Sequence, residues 1–233
     1  MNTSSFFTSL SYWPVLLTVG AYLLCAWVQK KIGRGFLSPI ILAAAAVYVI
    51  LRLIDLPLEK YTRGTSFLSY LLTPATICLG LSLYDQLQKL KKELPVLLAG
   101  IAAGTVCSLL TTWLLCVLFR LNGMLTVSLL PKNVTTAIGS VLSEENGGSA
   151  SVTTAAIILT GNLGYVLGPI FCRLFRLKDP LAKGAAYGTA AHVIGTSRAL
   201  QDDPLSGAAG SLSLTASGLL TAILFPLAIR LLY

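Results

Sequence analysis

Long apolar runs recur along almost the entire chain, and no other feature limits its fold so severely. Inside a bilayer every backbone N–H and C=O must be satisfied internally, so only helices or a closed barrel can span. The runs are continuous rather than alternating, and several approach the roughly 20 residues that a helix needs to cross the hydrocarbon. They lie at about 12–29, 36–54, 66–84, 94–119, 125–142, 149–172, 184–201 and 205–232. Of the 233 residues 55% are hydrophobic and 11% are charged. An ordinary soluble domain carries about 25% charged residues. The reading is an all-α polytopic membrane protein with about seven to eight membrane segments. No separate soluble domain or long linker is visible.

In a soluble protein the net charge of +8 would point to nucleic acid. Here the charges sit in short loops, so topology explains them and no nucleic-acid partner is expected. Positive residues gather at Lys30, Lys31 and Arg34, at Lys89, Lys91 and Lys92, and at Arg173, Arg176, Lys178 and Lys183. The positive-inside rule places these loops in the cytoplasm and the N-terminus outside. Alternation then fails beyond residue 119, because two apolar segments separate loop 120–124 from loop 173–183. Either segment 125–142 enters and returns, or one basic loop violates the rule. The reading favours re-entry.

Cys25, Cys78, Cys107, Cys116 and Cys172 show no paired spacing, so neither a metal site nor a disulfide is expected. The first ten residues carry no lysine or arginine, and the first apolar run ends in Lys30-Lys31. That is the reverse of a cleavable signal, so a retained first helix is expected. No cofactor motif is present. Gly-x-Ser-x-Gly, P-loop and HExxH are all absent, leaving an enzymatic reading without support.

Segments 125–142 and 184–201 are short for a span and rich in Gly, Thr and Ser. The stretch AIGSVLSEE (137–145) resembles VIGTSRALQDD (193–203). Each leads into a small-residue helix, and these end PIFCRLF (169–175) and PLAIRLL (226–232). A weaker copy runs from PATICLGLSLYD (74–85) into helix 94–119. Internal repeats of a short interrupted segment plus a long helix are the architecture of transporters with discontinuous helices. Shared composition alone is the alternative. The expected fold therefore includes internal repeats and two interrupted or re-entrant helices.

Two stretches carry groups capable of chemistry. In SLLPKNVTTAIG (128–139), Lys132, Thr135, Thr136 and Gly139 fall on one face at helical spacing. Pro131 suits the first turn of a helix. A helix beginning there would aim free N–H groups and a positive dipole end outward, with Lys132 alongside, as an anion site requires. Alternatively Lys132 snorkels to an interface and the threonines only pack. In KGAAYGTAAHVIGTSRAL (183–200), Thr189, His192 and Thr196 share a face, while Gly188, Ala191 and Gly195 permit close backbone approach. An ionisable group within the membrane is costly, which makes it a functional candidate by default. Arg198 offers a planar fork suited to a carboxylate, or it pairs with Asp202 four residues on. His192, unperturbed near a pKa of about 6.5, is suited to a coupling proton, or it is a packed core histidine. Asn162 is an uncharged polar group among Gly161, Gly164 and Gly168, which are read as allowing close helix packing.

The runs SLLPKNVTTAIGSVLSEENGG, TGNLGYVLGP and KGAAYGTAAHVIGTSRALQDD closely resemble the LrgB/CidB family, over about 66–232. That family includes antiholin-like bacterial membrane proteins and the LrgB-like part of the plant plastid glycolate/glycerate transporter. The resemblance implies a multi-pass protein of the bacterial cytoplasmic (inner) membrane. It also implies a separate, smaller LrgA/CidA-like membrane partner, a part that the plant member carries fused. Two roles are implied: transport of small carboxylates, or control of murein hydrolase export and lysis. Family members usually read VTTP near Thr136-Ala137, so the helix break here rests on Pro131 and Gly139. Residues 1–65 are then an N-terminal pair of transmembrane helices. Residues 66–233 are an LrgB-like transport core with repeats at about 66–120, 125–175 and 182–232.

Between the two roles, cationic groups in small-residue segments favour transport of a glycolate, glycerate, pyruvate or lactate class of anion. A holin-like pore needs no such groups. The residues assigned to the anion are Lys132, Asn133, Thr135, Thr136, Asn162, His192, Thr196, Ser197 and Arg198. Expected partners are the carboxylate, the LrgA/CidA-like protein, the bilayer and further copies of the chain as a homo-oligomer.

Overall fold

The computed structural model describes residues 12–32, 39–71 and 87–232, with Pro74, Ile77, Cys78 and Tyr84 between them. The N-terminal ten residues, Arg34 of the first basic loop and most of the 74–85 repeat copy lie outside the described residues. Among those described, every regular element is helical. We number the helices α1 (Trp13–Ile32), α2 (Pro39–Leu53), α3 (Leu58–Gly64), α4 (Ser66–Tyr70) and α5 (Leu87–Leu118). The series continues with α6 (Gly123–Leu129), α7 (Thr136–Glu145), α8 (Ala150–Leu174), α9 (Pro180–Asp202) and α10 (Pro204–Leu232). The chain divides into two compact units, 1–78 and 79–233.

In the first unit α2 presents Ala43, Val47 and Leu51 at four-residue steps, so one stripe faces Ala21 of α1. Trp13, Leu17 and Tyr61 pack around this core. The Thr18 and Tyr61 hydroxyls are hydrogen-bonded at 2.6 Å.

In the second unit Leu97 and Ile101 of α5 pack on Ala208 and Ala209 of α10. A second core joins Leu109, Val127, Leu130, Leu142 and Phe225. Small residues set the closest approaches. A Cβ on Gly188 of α9 would run into the Gly210 carbonyl of α10, so these backbones touch. Along α8, Gly161, Gly164 and Gly168 face His192, Ala191 and Tyr187 of α9 in turn. The packing role read for those glycines is the role they have.

Helices α5 and α8 close in the same way. Leu121 N–H donates to Cys116 O at 2.9 Å, and Leu177 N–H donates to Cys172 O at 2.8 Å. Arg120 (φ 52°) and Arg176 (φ 53°) take the left-handed position between. These are Schellman closures on arginine rather than glycine. Three described stretches are long and apolar enough to cross a membrane: Lys91–Leu118, Ala150–Leu174 and Pro204–Arg230.

The helix expected to start at Pro131 does not form. Helix α6 ends at Leu129, turns carry the chain through residues 130–133, and α7 begins at Thr136 with Thr135 as its N-cap. A proline has no N–H to extend the α6 ladder, so Pro131 stops one helix instead of starting another. Lys132 therefore does not share a helical face with Thr135, Thr136 and Gly139. The face expected for Thr189, His192 and Thr196 is also absent. Helix α9 is broken within, at Ala191 (φ −135°, ψ 20°) and His192 (φ 42°, ψ −136°).

Candidate functional site

Helix α5 directs Glu93, Leu97, Gly100, Gly104, Ser108 and Thr111 along one stripe, at steps of three and four. Helix α9 answers with Leu181, Ala182, Ala185, Ala186, Thr189 and Ala190. Between them lies a cavity of about 690 Å³, and Lys132 and Asn133 of the α6–α7 connector also line it. From Glu93 to Thr111 the stripe rises about 27 Å, close to the thickness of a hydrocarbon layer. Glu93 and Asp179 lie toward one end, and Asp179 already accepts a bond from Leu181 N–H at 3.0 Å. Lys132 lies toward the other end, where its ammonium donates to Thr112 Oγ1 at 2.5 Å. Among the described residues Lys132 has no carboxylate partner, because the ion pair found there is Arg198–Asp202.

Beside this cavity is a void of about 10 Å³, lined by Thr105, Ser108, Asn133, Thr189, Ser217 and Thr221 together with Leu109, Leu130, Pro131 and Val134. Asn133 Oδ1 and Thr189 Oγ1 are buried and accept or donate no hydrogen bond. Gly104 leaves the room for Thr189, since a Cβ there would stand 3.1 Å from Thr189 Cγ2.

The other assigned residues lie elsewhere. His192 Nε2 is 2.9 Å from Ile157 O of α8. A carbonyl oxygen only accepts, so that nitrogen carries a proton and donates. A Cβ on Gly161 would come within 2.6 Å of the ring, so α8 is hollowed to receive the imidazole. Thr196 Oγ1 donates to His192 O at 2.9 Å and Ser197 Oγ to Ile194 O at 2.7 Å, both within α9. Asn162 is buried and donates to Ile158 O at 2.8 Å. Arg198 pairs with Asp202 at 3.2 Å and lies 5.5 Å from the Tyr165 ring centre. Thus Lys132 and Asn133 share the cavity, while Asn162, His192, Thr196, Ser197 and Arg198 are not among its lining residues.

Helix α7 and the α9 break meet on Ile157 of α8. A Cβ on Gly139 of α7 would stand 2.6 Å from Ile157 Cδ1, and His192 holds the carbonyl of that same Ile157. His192 lies outside the main allowed regions for an L-residue, and such outliers collect at functional positions. Sequence reasoning passed over Thr105, Ser108, Thr112, Ser217 and Thr221. Their signal was hydroxyls recurring at steps of three and four on otherwise apolar helices.

The arrangement defines a membrane protein, helical throughout its described regular elements, whose second unit sets the broken helix α9 along a groove about as long as a hydrocarbon layer is thick. The LrgB-like family matches residues 18–231, and the chain belongs to that family. It is 31% identical to the holin-like protein CidB of Staphylococcus aureus, covering 94% of this chain and 96% of that one. It is 32% identical to the antiholin-like protein LrgB of Bacillus mycoides, again over 94% and 96%. No solved structure matches. The names of these relatives favour the holin/antiholin reading over the transport reading.

Proposed function

We propose that the chain serves a holin- or antiholin-like system of the bacterial cytoplasmic membrane, and that its molecular act is passage of a small monocarboxylate. The observation that supports passage is Lys132, which among the described residues has no carboxylate partner and lies on a non-helical connector beside a mainly small and apolar groove, with Glu93 and Asp179 toward its other end. A dehydrated carboxylate needs a compensating charge, and an intramembrane lysine without a counter-ion is available to supply it. The anion belongs to the glycolate, glycerate, pyruvate or lactate class. Lys132 and Asn133 meet it first, with Thr135 and Thr136 opening α7 close by in the chain. Arg198 lies outside the groove, paired with Asp202, and its buried, unpartnered Nε makes it a second contact only further along the path, beyond the α9 break.

In this reading both breaks are discontinuous membrane helices, and about seven to eight segments cross or enter the bilayer. The breaks are related by an internal repeat. Thr135 and Ala191 lie 56 positions apart, as do Ile138 and Ile194 of the matched stretches. A smaller LrgA/CidA-like membrane protein completes the assembly, with further copies of the chain.

The second reading, control of murein hydrolase export and lysis without transport, is favoured by the relatives' names. It gives Lys132 no task. Uptake of labelled pyruvate, glycolate and lactate into proteoliposomes separates the two, with and without the partner. Uptake that Lys132→Ala removes supports passage. No uptake by a folded complex that still restores lysis control in cells supports the second reading.

A further inference from the structure

The void beside the connector is small and lined by six residues with polar side chains and four apolar ones, and the passage of an anion leaves it without a task. Its two unpartnered atoms are Asn133 Oδ1, which has no proton to give, and Thr189 Oγ1. Thr189 is 7% exposed, so bulk water does not supply its partner. Two other lining hydroxyls have already spent their protons: Thr105 Oγ1 donates to Ile101 O at 2.8 Å, and Ser217 Oγ donates to Leu214 O at 3.2 Å. What remains on those oxygens is lone pairs. A hydroxyl has one proton and two acceptor sites. A void of this size admits no carboxylate, whereas a small cation would find oxygen ligands from α5, the connector, α9 and α10.

Size and charge narrow the occupant. A void of about 10 Å³ takes about one water-sized sphere. Hard cations take oxygen ligands, and the divalent ones draw on carboxylates. No carboxylate lines this void, and among the described residues no cluster of His, Cys, Asp or Glu is placed to hold a metal. Neutral oxygens at this size match a small monovalent ion. The elements fit as well, since broken helices in transporters gather coupling cations beside the substrate.

We propose that Asn133, Thr189, Thr105 and Ser217 form a sodium-ion site. Thr105 lies seven residues from Thr112, the Lys132 partner, about 10 Å along α5. At that separation the bound ion and the Lys132 ammonium repel, and a carboxylate on Lys132 relieves the repulsion. Ion and anion then bind cooperatively, by roughly tenfold at an effective dielectric constant of about 20. The ion site stands on the void itself, whereas its role in driving an anion rests on the proposed passage of carboxylates.

The test is equilibrium binding of radiolabelled Na⁺ to the purified full-length chain in nanodiscs, without carboxylate. Saturable binding is expected, displaced by Li⁺ and not by K⁺. Thr189→Val and Asn133→Ala should weaken it at least tenfold, while Ser140→Ala, at a hydroxyl that bonds Thr136 O within α7 and lines neither the groove nor the void, should leave it unchanged. Lys132→Ala should tighten Na⁺ binding roughly tenfold while removing carboxylate uptake, which a misfolded variant cannot do. Absence of saturable binding to the wild-type chain, or equal binding of Na⁺ and K⁺, overturns the site and leaves a buried water in the void. Carboxylate uptake that persists without any Na⁺ binding overturns the site and spares the transport reading. Na⁺ binding without uptake supports the site and counts against transport.

Discussion

In the second unit α9 is broken within, and α6 and α7 are held apart by a connector, and the two interruptions arise by different means. Between α6 and α7 the interruption is local chemistry: Pro131 lacks an N–H, and the chain leaves the helix until Thr135 caps the next one. In α9 the break falls on Ala191 and His192, with neither proline nor glycine at the site. There α8 imposes it, through Gly164 against Ala191, Gly161 against the His192 ring and Ile157 O against Nε2. One break persists wherever its sequence goes. The other depends on a neighbouring helix, so it is the one that binding or assembly can alter.

That contrast can be broken at several points. Lys132→Ala, which leaves both breaks in place, should have the largest effect, lowering carboxylate uptake about 100-fold by removing a charge-assisted contact. Unchanged uptake by a folded variant would return Lys132 to the role of an interfacial anchor. Gly161→Ala should destabilise the protein by about 2 kcal/mol, because its Cβ intrudes on the seat of the imidazole and overpacks it. Gly100→Ala, with nothing within 4 Å of its Cβ, is the control and should melt at or above the wild type, since glycine costs about 1 kcal/mol inside a helix. Equal melting of the two variants would show that α8 does not enforce the α9 break.

His192 offers a finer test. His192→Gly and His192→Ala both lose the bond to Ile157, but only glycine accepts φ 42° and ψ −136° without strain. Glycine should therefore be the more stable by about 1–2 kcal/mol, against its disadvantage of roughly 1 kcal/mol inside an ordinary helix. Alanine more stable than glycine in thermal melts would mean that the break closes once the histidine is gone. Arg198→Lys should have the smallest effect on stability, under about 1 kcal/mol, since it retains a partly exposed ion pair to Asp202. A larger loss in melting would show that the Tyr165 stacking holds the second limb of α9.

The helices themselves were legible in the sequence. The runs at 149–172 and 205–232 became α8 and α10 within a few residues, because continuous apolar stretches leave the backbone no alternative in a bilayer. Of the candidate site, Lys132 and Asn133 were legible as a polar pair next to a proline in an apolar context. The hydroxyls at Thr105, Ser108, Ser217 and Thr221 were not, since a serine or threonine on an apolar helix most often bonds its own backbone four residues back. Only the meeting of α5, α9, α10 and the connector gives those oxygens a common void.

By itself, then, the sequence determined that this chain is helical and membranous, where most helices run, and that the helical run is interrupted near Pro131, because those properties reside in apolar length and in the missing proton of a proline. The tertiary structure alone decided that α9 bends at Ala191–His192, that Lys132 faces α5 while Arg198 faces α8, and that Thr189 joins Asn133 instead of His192. Each of these depends on which helix lies opposite, and a residue's spacing along its own helix says nothing about its neighbour's shape.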